Sequence, residues 1–451
     1  MKDKVDVLVV GGGISGIACA YFATKKFSNV LLINDSPKLG GYIQSFKTDD
    51  FLLECGPNTL MLKNQLLFDL LHELDLWNQI IFPDPSAKKR YIMFNGHLHP
   101  LPFSPFAMFS SNLLGFKDLL QIIKEPFAEK KFIRSDDISV KDFFIEHFGK
   151  TIYENFVFPM VSGIYAGDPD KISFKHTFPE LYVMFKNHGS IIKGFLKKKR
   201  QKQSFKKQIF SFPEGLKLLP QRMVEIGNFK ITLYAKTTGI HTNESGEYIV
   251  KYIADEKEQS IVASKVIFTI PAFELSKIIA EIDAELSAKL QEVEYAPIQI
   301  LHLAIQKKDI GFQEKGFGFL KSYNENSSIL GCIFTSRIFP HTAPSNYDLL
   351  TVMSGGATQK ELFNLDENEA IRLLVNDLDK ILKFKQPPKI LNFSRIEKAI
   401  PQYLLNFHDE LLKSVRSFEK KYPGVLLAGN YLYGVSVPDC IETGMKTIQK
   451  I

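Results

Sequence analysis

The sequence contains little that would support a metal centre, a disulfide framework or a membrane span. Its four cysteines, Cys19, Cys55, Cys332 and Cys440, form no C-x-x-C pair, so a zinc cluster or dithiol redox centre is not predicted and the thiols are interpreted as free. Its ten histidines include no H-x-x-x-H metal motif, and no signature of a catalytic triad is present. No stretch reaches the ~18 uninterrupted apolar residues of a transmembrane helix. We therefore expect a cytoplasmic chain without a metal, and contact with the inner face of a membrane stays open.

The sequence also has little tryptophan and a small net charge. A single Trp stands against 38 Phe residues, and the net charge is only +6 over 451 residues. This mild charge does not favour nucleic-acid binding, although it suits an anionic substrate or an acidic membrane surface. The phenylalanines are expected in cores or around a flat apolar pocket. A chain of this length is too long for one compact core, which predicts two or three domains.

The first positive signal is a glycine-rich turn near the N-terminus. An apolar run of strand length at 5–10 leads into the turn and a helix, and a second strand follows at 29–33. In Gly11-x-Gly13-x-x-Gly16 the first glycine permits the turn, the second lets the backbone approach a pyrophosphate, and the third allows close helix–strand packing. The helix N-terminus offers free N–H groups to phosphates. This opening predicts a dinucleotide site.

The ribose position of that site departs from the usual pattern. An acidic residue is expected ≈ 20 residues beyond the glycine turn, where it binds ribose hydroxyls. Asn34 stands at the usual place and Asp35 follows it directly. An amide can still hydrogen-bond a hydroxyl, although without charge assistance. We predict that both residues contact the dinucleotide.

Two features favour FAD over NAD. Leu39-Gly40-Gly41 follows the second strand closely, a pattern similar to that of the amine-oxidase-like FAD enzymes. A second G-x-G-x-x-G is missing, since Gly316-Phe317-Gly318 lacks the third glycine. Enzymes that pass electrons from NADPH to a flavin often carry two such units. A single unit indicates that the substrate reduces the flavin directly.

The C-terminal segment 424–444 repeats the order of strand, turn and helix. A strand at 425–428 leads to Asn430, and residues 434–437 begin the last helix. Backbone N–H groups at that helix start would face the pyrimidine edge of a flavin, where the positive end of the helix dipole stabilises negative charge. The two ends of the chain are therefore predicted to meet in one nucleotide domain.

The composition changes along the chain. Residues 60–80 are predicted to be helical, 105–205 are rich in Phe, Leu, Ile and Lys with few strand signals, and strand-like runs dominate from about 208. We predict an α/β (mixed α+β) fold with a Rossmann-like FAD-binding domain, a β-rich substrate domain and a helical membrane-associated region. The predicted division is a discontinuous FAD-binding domain of 1–80, 208–285 and 405–451, a mainly helical region of 81–207, and a substrate-binding domain of 286–404.

Two segments of the helical region favour contact with an anionic surface. Residues 102–120 carry many apolar side chains, and 197–207 form a basic run. The alternatives are an ordinary core for the first segment and a solvated loop for the second. Together they predict weak, salt-sensitive association with anionic vesicles.

Stretches along the whole chain match one family. They are GGGISG (11–16), LGGYIQS (39–45), ECGPNT (54–59), KKRYI (88–92), SGIYAGDPDKIS (162–173), FSFPEGLKLLP (210–220), GFGFL (316–320), GCIFTSRIFP (331–340), AIPQY (399–403), and AGN with GVSVPDCIETG (428–430 and 434–444). On these motifs the chain resembles the protoporphyrinogen oxidases of the FAD-dependent amine-oxidase superfamily. The GDP, FSF and C-terminal stretches together separate this family from other FAD oxidases.

The resemblance implies non-covalent FAD, because no cysteine stands near Asn430 for a covalent link to the flavin, as it does in monoamine oxidases. It assigns the chemistry to the flavin and names no catalytic side chain. The substrate residues that it implies are Arg90, Gly163, Leu320, Ile333 and Met353. The residues that it implies at FAD are Gly11, Gly12, Gly13, Ile14, Ser15, Gly16, Asn34, Asp35, Tyr42, Gly56, Pro57, Asn58, Thr59, Thr237, Asn430, Val435, Ser436 and Val437.

The reaction implied by the resemblance is hydride transfer from a bridge carbon of a porphyrinogen to flavin N5, with loss of a pyrrole N–H proton and reoxidation by O₂. Protoporphyrinogen IX and coproporphyrinogen III both stay open as substrates, as does contact with the next enzyme of haem synthesis. One alternative is another flavin amine oxidase or a desaturase, against which Arg90 and the GDP segment argue. Another is a binding protein similar to the Rab GDP-dissociation inhibitors, which need no flavin.

Overall fold

The computed structural model describes residues 4–102, 107–108, 111–127, 137–197 and 205–451. The strands in this part of the chain are β1 (Lys4–Val10), β2 (Val30–Ile33), β3 (Ser45–Thr48), β4 (Phe51–Glu54), β5 (Leu60–Leu62), β6 (Arg90–Phe94), β7 (His97–Pro100), β8 (Gln208–Phe210), β9 (Lys230–Thr232), β10 (Lys236–Thr242), β11 (Tyr248–Ala254), β12 (Lys257–Phe268), β13 (Tyr295–Gln306), β14 (Gly318–Lys321), β15 (Ile329–Ile333), β16 (Tyr347–Gly355), β17 (Lys389–Pro401) and β18 (Val425–Leu427). The α-helices are α1 (Ile14–Ala23), α2 (Gln65–Glu73), α3 (Phe116–Lys124), α4 (Val140–Phe148), α5 (Lys150–Ile152), α6 (Phe158–Tyr165), α7 (Phe174–Thr177), α8 (Pro179–His188), α9 (Ile191–Lys197), α10 (Leu218–Ile226), α11 (Ala272–Ile279), α12 (Ala284–Gln291), α13 (Thr335–Ile338), α14 (Glu367–Leu382), α15 (Phe407–Lys421) and α16 (Val437–Gln449).

The first sheet gathers strands from both ends and the middle of the chain. Its order is β10-β11-β12-β1-β2-β9, and β18 also pairs with β12. Strand β1 runs parallel to β2 and β12, and β18 runs parallel to β12. The apolar strand β1 is buried from Val7 to Val10, as a parallel strand covered on both faces should be. This is the predicted Rossmann-like unit, closed by the C-terminal strand.

Close helix packing holds the two chain ends together. A Cβ atom on Gly16 would lie 1.8 Å from the carbonyl oxygen of Gly11, so only glycine allows α1 to start this close to the turn. A Cβ atom on Gly444 would lie 2.9 Å from the Cβ of Ala18, which brings α16 against α1. The two helices that follow glycine-containing turns therefore pack side by side.

The second sheet has the order β17-β13-β16-β15-β14-β6-β7. One face packs on α14 through a core that includes Leu301, Val352, Leu374 and Leu378. Residues that pair across strands point to the same side of a sheet, so the alternate residues form the opposite face. That opposite face is turned toward the first sheet and forms part of the site described below.

One sequence prediction needs correction. Residues 60–80 were expected to be helical, but Leu60–Leu62 form strand β5 and pair with β8, and the helix covers only Gln65–Glu73. Long-range pairing decides the conformation of this short apolar run, whose periodicity does not distinguish strand from helix. The region 81–207, which was predicted to be mainly helical, contains many helices in its described part and also supplies β6 and β7 to the second sheet.

The helical region has its own aromatic core and an exposed apolar surface. Phe143 stacks on Phe174 with ring centroids 3.7 Å apart, and Phe185 meets Phe143 edge-on. By contrast, Phe116 and Phe127 are 72% and 82% exposed. Residues 103–106, 109–110 and 198–204, on which parts of the vesicle-binding prediction rest, lie outside the described residues. Among the described residues, no helix combines the length and apolarity needed to cross a membrane.

Candidate functional site

A large cavity lies between the carboxyl ends of the parallel strands of the first sheet and one face of the second sheet. Open α/β sheets bind their ligands at such carboxyl ends. The volume of the cavity is about 1120 Å³, which exceeds the ~300–1,000 Å³ that is usual for one small-molecule site. The cavity therefore has room for a dinucleotide and a second ligand.

The glycine turn leaves space for a phosphate. A Cβ atom on Gly13 would have no atom of another described residue within 4 Å, and Gly11 has a φ angle of +112° that favours glycine. Gly13 is the N-cap of α1, and no side chain in the described part of the chain caps this helix end. N–H groups of the first turn are then available to an anion.

Two buried oxygen atoms of the cavity wall lack hydrogen-bond partners. They are Asn58 Oδ1 and Thr237 Oγ1, which have no partner in the described part of the chain. Buried polar groups are nearly always hydrogen-bonded, so both oxygen atoms can accept a hydrogen bond from a ligand or from water. Together with the open space at Gly13, they fit a polar dinucleotide that crosses this end of the cavity.

The C-terminal loop closes the same end. Gly434 has a φ angle of +81°, and Ser436 is the N-cap of α16, where its side chain accepts the N–H of Asp439. The hydroxyl of Tyr403 donates to the carbonyl of Asn430 at 2.7 Å. These bonds hold the loop before α16 and the first turn of this helix, whose residues Val435, Ser436 and Val437 line the cavity.

Most of the predicted cofactor residues line this one cavity. Gly16 does not line it, because its role is the close packing of α1 on the turn. The predicted residues found in the cavity wall are Gly11, Gly12, Gly13, Ile14, Ser15, Asn34, Asp35, Tyr42, Gly56, Pro57, Asn58, Thr59, Thr237, Asn430, Val435, Ser436 and Val437.

A buried carboxyl group supports the loop at 56–59. Glu54 accepts hydrogen bonds from Ser45 Oγ at 2.7 Å and from the N–H of Leu216 at 2.9 Å. Burial raises the pKa of Glu54 to about 7, although these hydrogen bonds and the charge of Lys217 oppose the shift. This carboxyl therefore ties the chain just before the loop to the segment at 212–216.

The second sheet supplies an aliphatic wall. Of the predicted substrate residues, Gly163, Ile333 and Met353 line the cavity. Met353 pairs with Ile300, which places their side chains on the same face. The members of this aliphatic wall are Ile298, Ile300, Ile333, Met353 and Ile396.

Leu320 and Arg90 are not among the lining residues, but both lie close to them. A Cβ atom on Gly163 would lie 2.5 Å from Leu320 Cδ2, so Leu320 packs directly behind Gly163. Arg90 is exposed, and its guanidinium lies 5.0 Å from the centre of the Phe317 ring. Desolvation by neighbouring groups nevertheless lowers the pKa of Arg90.

Strand register connects Arg90 with the aliphatic wall. Arg90 pairs with Gly318, and Gly318 pairs with Ile333. Since paired residues point to one side of a sheet, Arg90 lies on the face that carries the aliphatic wall. Gly318 between them has no side chain to block the way. The guanidinium thus lies at the edge of the same face.

Sequence reasoning missed a set of lining residues. Ile270 and Pro271 follow β12, a parallel strand that pairs with β1, so the strand end at Pro271 was a usable signal. The isoleucines of β13 and β17 gave no such signal, because their contact with the cavity depends on sheet register. The missed lining residues include Lys38, Lys236, Ile270, Pro271, Glu274, Lys277, Ile298, Ile300, Ile396, Ala399, Ile400 and Cys440. The described residues hold no group of three or more side chains suited to a metal ion.

Comparison with known proteins gives a consistent result. Residues 14–451 match the family model for flavin containing amine oxidoreductase. Coproporphyrinogen III oxidase of Bacillus subtilis (strain 168) is 28% identical over 99% of this chain and 98% of its own length. The mitochondrial protoporphyrinogen oxidase of Nicotiana tabacum is 30% identical over 97% of this chain and 93% of its own length.

Solved structures share the fold. A crystal structure from Exiguobacterium sp. 255-15, which carries the provisional name protoporphyrinogen oxidase, superposes with a TM-score of 0.84 at 24% identity and covers 100% of this chain and 98% of that one. Reduced UDP-galactopyranose mutase gives a TM-score of 0.72 at 14% identity, with 99% and 95% covered. At these identities the likeness concerns the fold alone.

Proposed function

Because the chain belongs to the flavin-containing amine oxidoreductase family, we propose that it uses FAD to oxidise a porphyrinogen in haem synthesis. The observation that carries this proposal is the match with relatives named for coproporphyrinogen III and protoporphyrinogen, which extends over 98% and 93% of their lengths. The whole chain takes part in this match, so cofactor and substrate regions are both included. Protoporphyrinogen IX and coproporphyrinogen III are the two candidate substrates.

The cofactor is proposed to bind at the first sheet. The space at Gly13 and the free N–H groups of α1 suit its pyrophosphate. The unpartnered oxygens of Asn58 and Thr237 suit its polar groups. The start of α16 suits the flavin edge. We extend this to the division of the chain: 1–80, 208–285 and 405–451 would form the FAD-binding domain, and 286–404 would bind substrate together with parts of 81–207.

The substrate is proposed to lie against the aliphatic wall. A porphyrinogen has a broad apolar ring and carboxylates at its periphery. The isoleucines and Met353 suit the ring, and a cation at the edge of the same face suits a propionate. Arg90 can bind both carboxylate oxygens with its planar fork, which Lys cannot do. Gly163, with Leu320 behind it, leaves room for a flat ligand.

The protein's own contribution is to hold the ring and exclude water. FAD would supply the hydride acceptor when bound. The aliphatic wall carries no acid or base, so the described side chains there orient the bridge carbon and shield it from solvent. Orientation of this kind supplies a large part of the rate when the reacting atoms are held a few ångströms apart. O₂ is the proposed electron acceptor.

A direct assay tests the function. Purified protein with its bound flavin is incubated in air with protoporphyrinogen IX and, separately, with coproporphyrinogen III, while porphyrin fluorescence and hydrogen peroxide are recorded. We expect one or both substrates to be oxidised faster than in buffer, with peroxide formed in step. Rates equal to those in buffer for both substrates would refute the proposal.

The exposed apolar side chains of the helical region are proposed to touch a membrane surface. Phe116, Ile123 and Phe127 project from one side of α3 and the turn that follows it, and Phe195 and Leu196 are exposed on α9. The Glu125 carboxylate accepts the N–H of Ile191 at 2.9 Å, which keeps the two segments together. Apolar side chains next to lysines are typical of interfacial helices. Contact with another enzyme of haem synthesis is a further use of such a surface.

A further inference from the structure

Asn34 is tied into the protein through every polar group that it carries. Its Oδ1 accepts the N–H of Gly12 at 2.8 Å. Its Nδ2 donates to the carbonyl of Ser36 at 2.8 Å and to that of Lys38 at 3.3 Å. Its backbone N–H and carbonyl bond to the connection 232–235 at 2.9 and 2.8 Å. Asn34 is 8% exposed, and its amide has no free donor for a ribose hydroxyl.

This set of contacts requires an amide. A carboxylate at position 34 could accept the N–H of Gly12, but it could not donate to the two carbonyls. Its charge would instead face those carbonyl oxygens in a buried place, which is unfavourable. The need for both an acceptor and a donor explains why an acidic residue is missing where the dinucleotide pattern expects one.

Asp35 has the opposite character. It is exposed, and it lines the cavity at the end of β2. Its carboxylate has no hydrogen-bond or ion-pair partner among the described residues. A free carboxylate at the edge of a dinucleotide site can accept hydrogen bonds from ribose hydroxyls, and such charge-assisted bonds are the stronger kind.

We propose that Asp35, and not Asn34, binds the adenosine ribose of FAD, while Asn34 is a positioning residue. The inference rests on the FAD site described under the proposed function. Asn34 holds the glycine turn at Gly12 and the loop at 36–38 in the shape that presents the neighbouring carboxylate to the cavity. The acidic function of the usual pattern has thus moved by one residue along the chain.

The test compares two ligands on the flavin-loaded protein. One sample is loaded with FAD and another with an FAD analogue that contains 2′-deoxyadenosine, and the dissociation constant of each ligand is measured from the flavin fluorescence released on dilution. Wild type should prefer FAD. Asp35→Asn should raise the dissociation constant of FAD by about tenfold, as expected when a charge-assisted hydrogen bond becomes a neutral one. In Asp35→Ala the preference for FAD over the analogue should vanish. Asp50→Asn, which removes an exposed carboxylate in the β3–β4 turn, is the matched control and should change neither constant.

A positioning role predicts a different result at position 34. Asn34→Asp should lower the midpoint of thermal unfolding. It should also raise the dissociation constants of both ligands by the same factor, so that the preference for FAD persists. If Asp35→Ala keeps the wild-type preference, or if Asn34→Asp loses the preference at an unchanged midpoint, the assignment is overturned. These are binding measurements, so failure of the porphyrinogen assay would leave their outcome unchanged.

Discussion

The two ends of the cavity are built from different materials. The cofactor end consists of backbone turns that follow parallel strands, with glycines, unpartnered oxygens at Asn58 and Thr237, and the free N-terminus of α1. The substrate end consists of aliphatic side chains from β13, β15, β16 and β17, which project from one face of a sheet. The first end is polar and defined by the path of the chain, and the second is apolar and defined by strand register.

This difference predicts how each end responds to mutation. Where a ligand lies directly against the backbone, an added side chain occupies the space of the ligand and prevents binding. A ligand that lies on an aliphatic wall depends on many contacts of similar size, so a single contact contributes less. Loss at the cofactor end should therefore be complete, while loss at the substrate end should be graded.

The largest effect is expected for Gly13→Val. Gly13 has φ −72° and ψ 175°, which valine adopts readily, and a Cβ there meets no atom of the described residues within 4 Å. The protein should therefore fold, but the side chain would occupy the space of the pyrophosphate. We expect flavin retention to be abolished, as measured by the flavin absorbance of the purified protein.

Gly239→Ala is the control for this variant. Within the described ranges, Gly239 also has no atom within 4 Å of an added Cβ, and it lies on β10 outside the cavity wall. This control should keep its flavin. A Gly13→Val protein with a full complement of flavin would show that the turn does not approach the cofactor.

Arg90→Ala should have the next largest effect. It should impair the substrate end of the cavity and leave the cofactor end unchanged. Removal of a charge-assisted hydrogen bond to a propionate costs on the order of 1.5–3 kcal/mol, which corresponds to a loss of kcat/KM of roughly 10- to 150-fold. Arg90→Lys should recover only part of this loss. Flavin content should be unchanged.

Lys89→Ala provides the matched control. Lys89 is the exposed neighbour of Arg90 and pairs with Glu314 at 3.0 Å, so it is engaged elsewhere. Its removal should leave kcat/KM near the wild-type value. Wild-type kcat/KM in Arg90→Ala, or flavin loss from that variant, would disprove the assignment of Arg90 to substrate.

Glu54 should produce a smaller, pH-dependent effect at the cofactor end. Burial raises its pKa to about 7, against an ordinary value of 4.5, so between these pH values the native state binds more protons than the unfolded state. Stability contributed by the neutral carboxyl is present below pH 4.5 and is lost as the pH rises through 7. Between pH 5 and pH 8 the free energy of unfolding of the wild type should fall by about 1–3 kcal/mol more than that of Glu54→Gln.

Thermal unfolding of both proteins, followed by flavin fluorescence, measures this difference. Glu225→Gln changes an exposed carboxylate and should behave like the wild type. Parallel pH dependences of wild type and Glu54→Gln would indicate that the buried carboxyl does not titrate in this range.

The smallest effect concerns neither end of the cavity but the proposed membrane surface. Wild type should float with anionic vesicles at low salt and should be released at high salt. Phe127→Asp places a charge on the exposed surface and should weaken flotation, whereas Ile253→Glu on the remote strand β11 should not. An absence of flotation at low salt for the wild type would refute membrane contact.

The same contrast explains what the sequence revealed. The glycine turn and the C-terminal helix were predictable because the backbone imposes residue types at fixed short spacings, as at Gly11, Gly13 and Gly16. The wall that includes Ile300 and Ile396 was not found, since these residues come together only through pairing of strands far apart in the chain. The amide role of Asn34 was also hidden, because its partners at 36–38 and 232–235 are fixed by the folded loops.

The most direct test of the central claim is the anaerobic reaction of the bound flavin with substrate. The protein is mixed without oxygen with protoporphyrinogen IX or with coproporphyrinogen III, and the flavin absorbance is followed in time. The proposed function predicts that at least one porphyrinogen bleaches the flavin and that porphyrin fluorescence rises in step, with slower bleaching in Arg90→Ala. Flavin that stays oxidised with both porphyrinogens would contradict the claim.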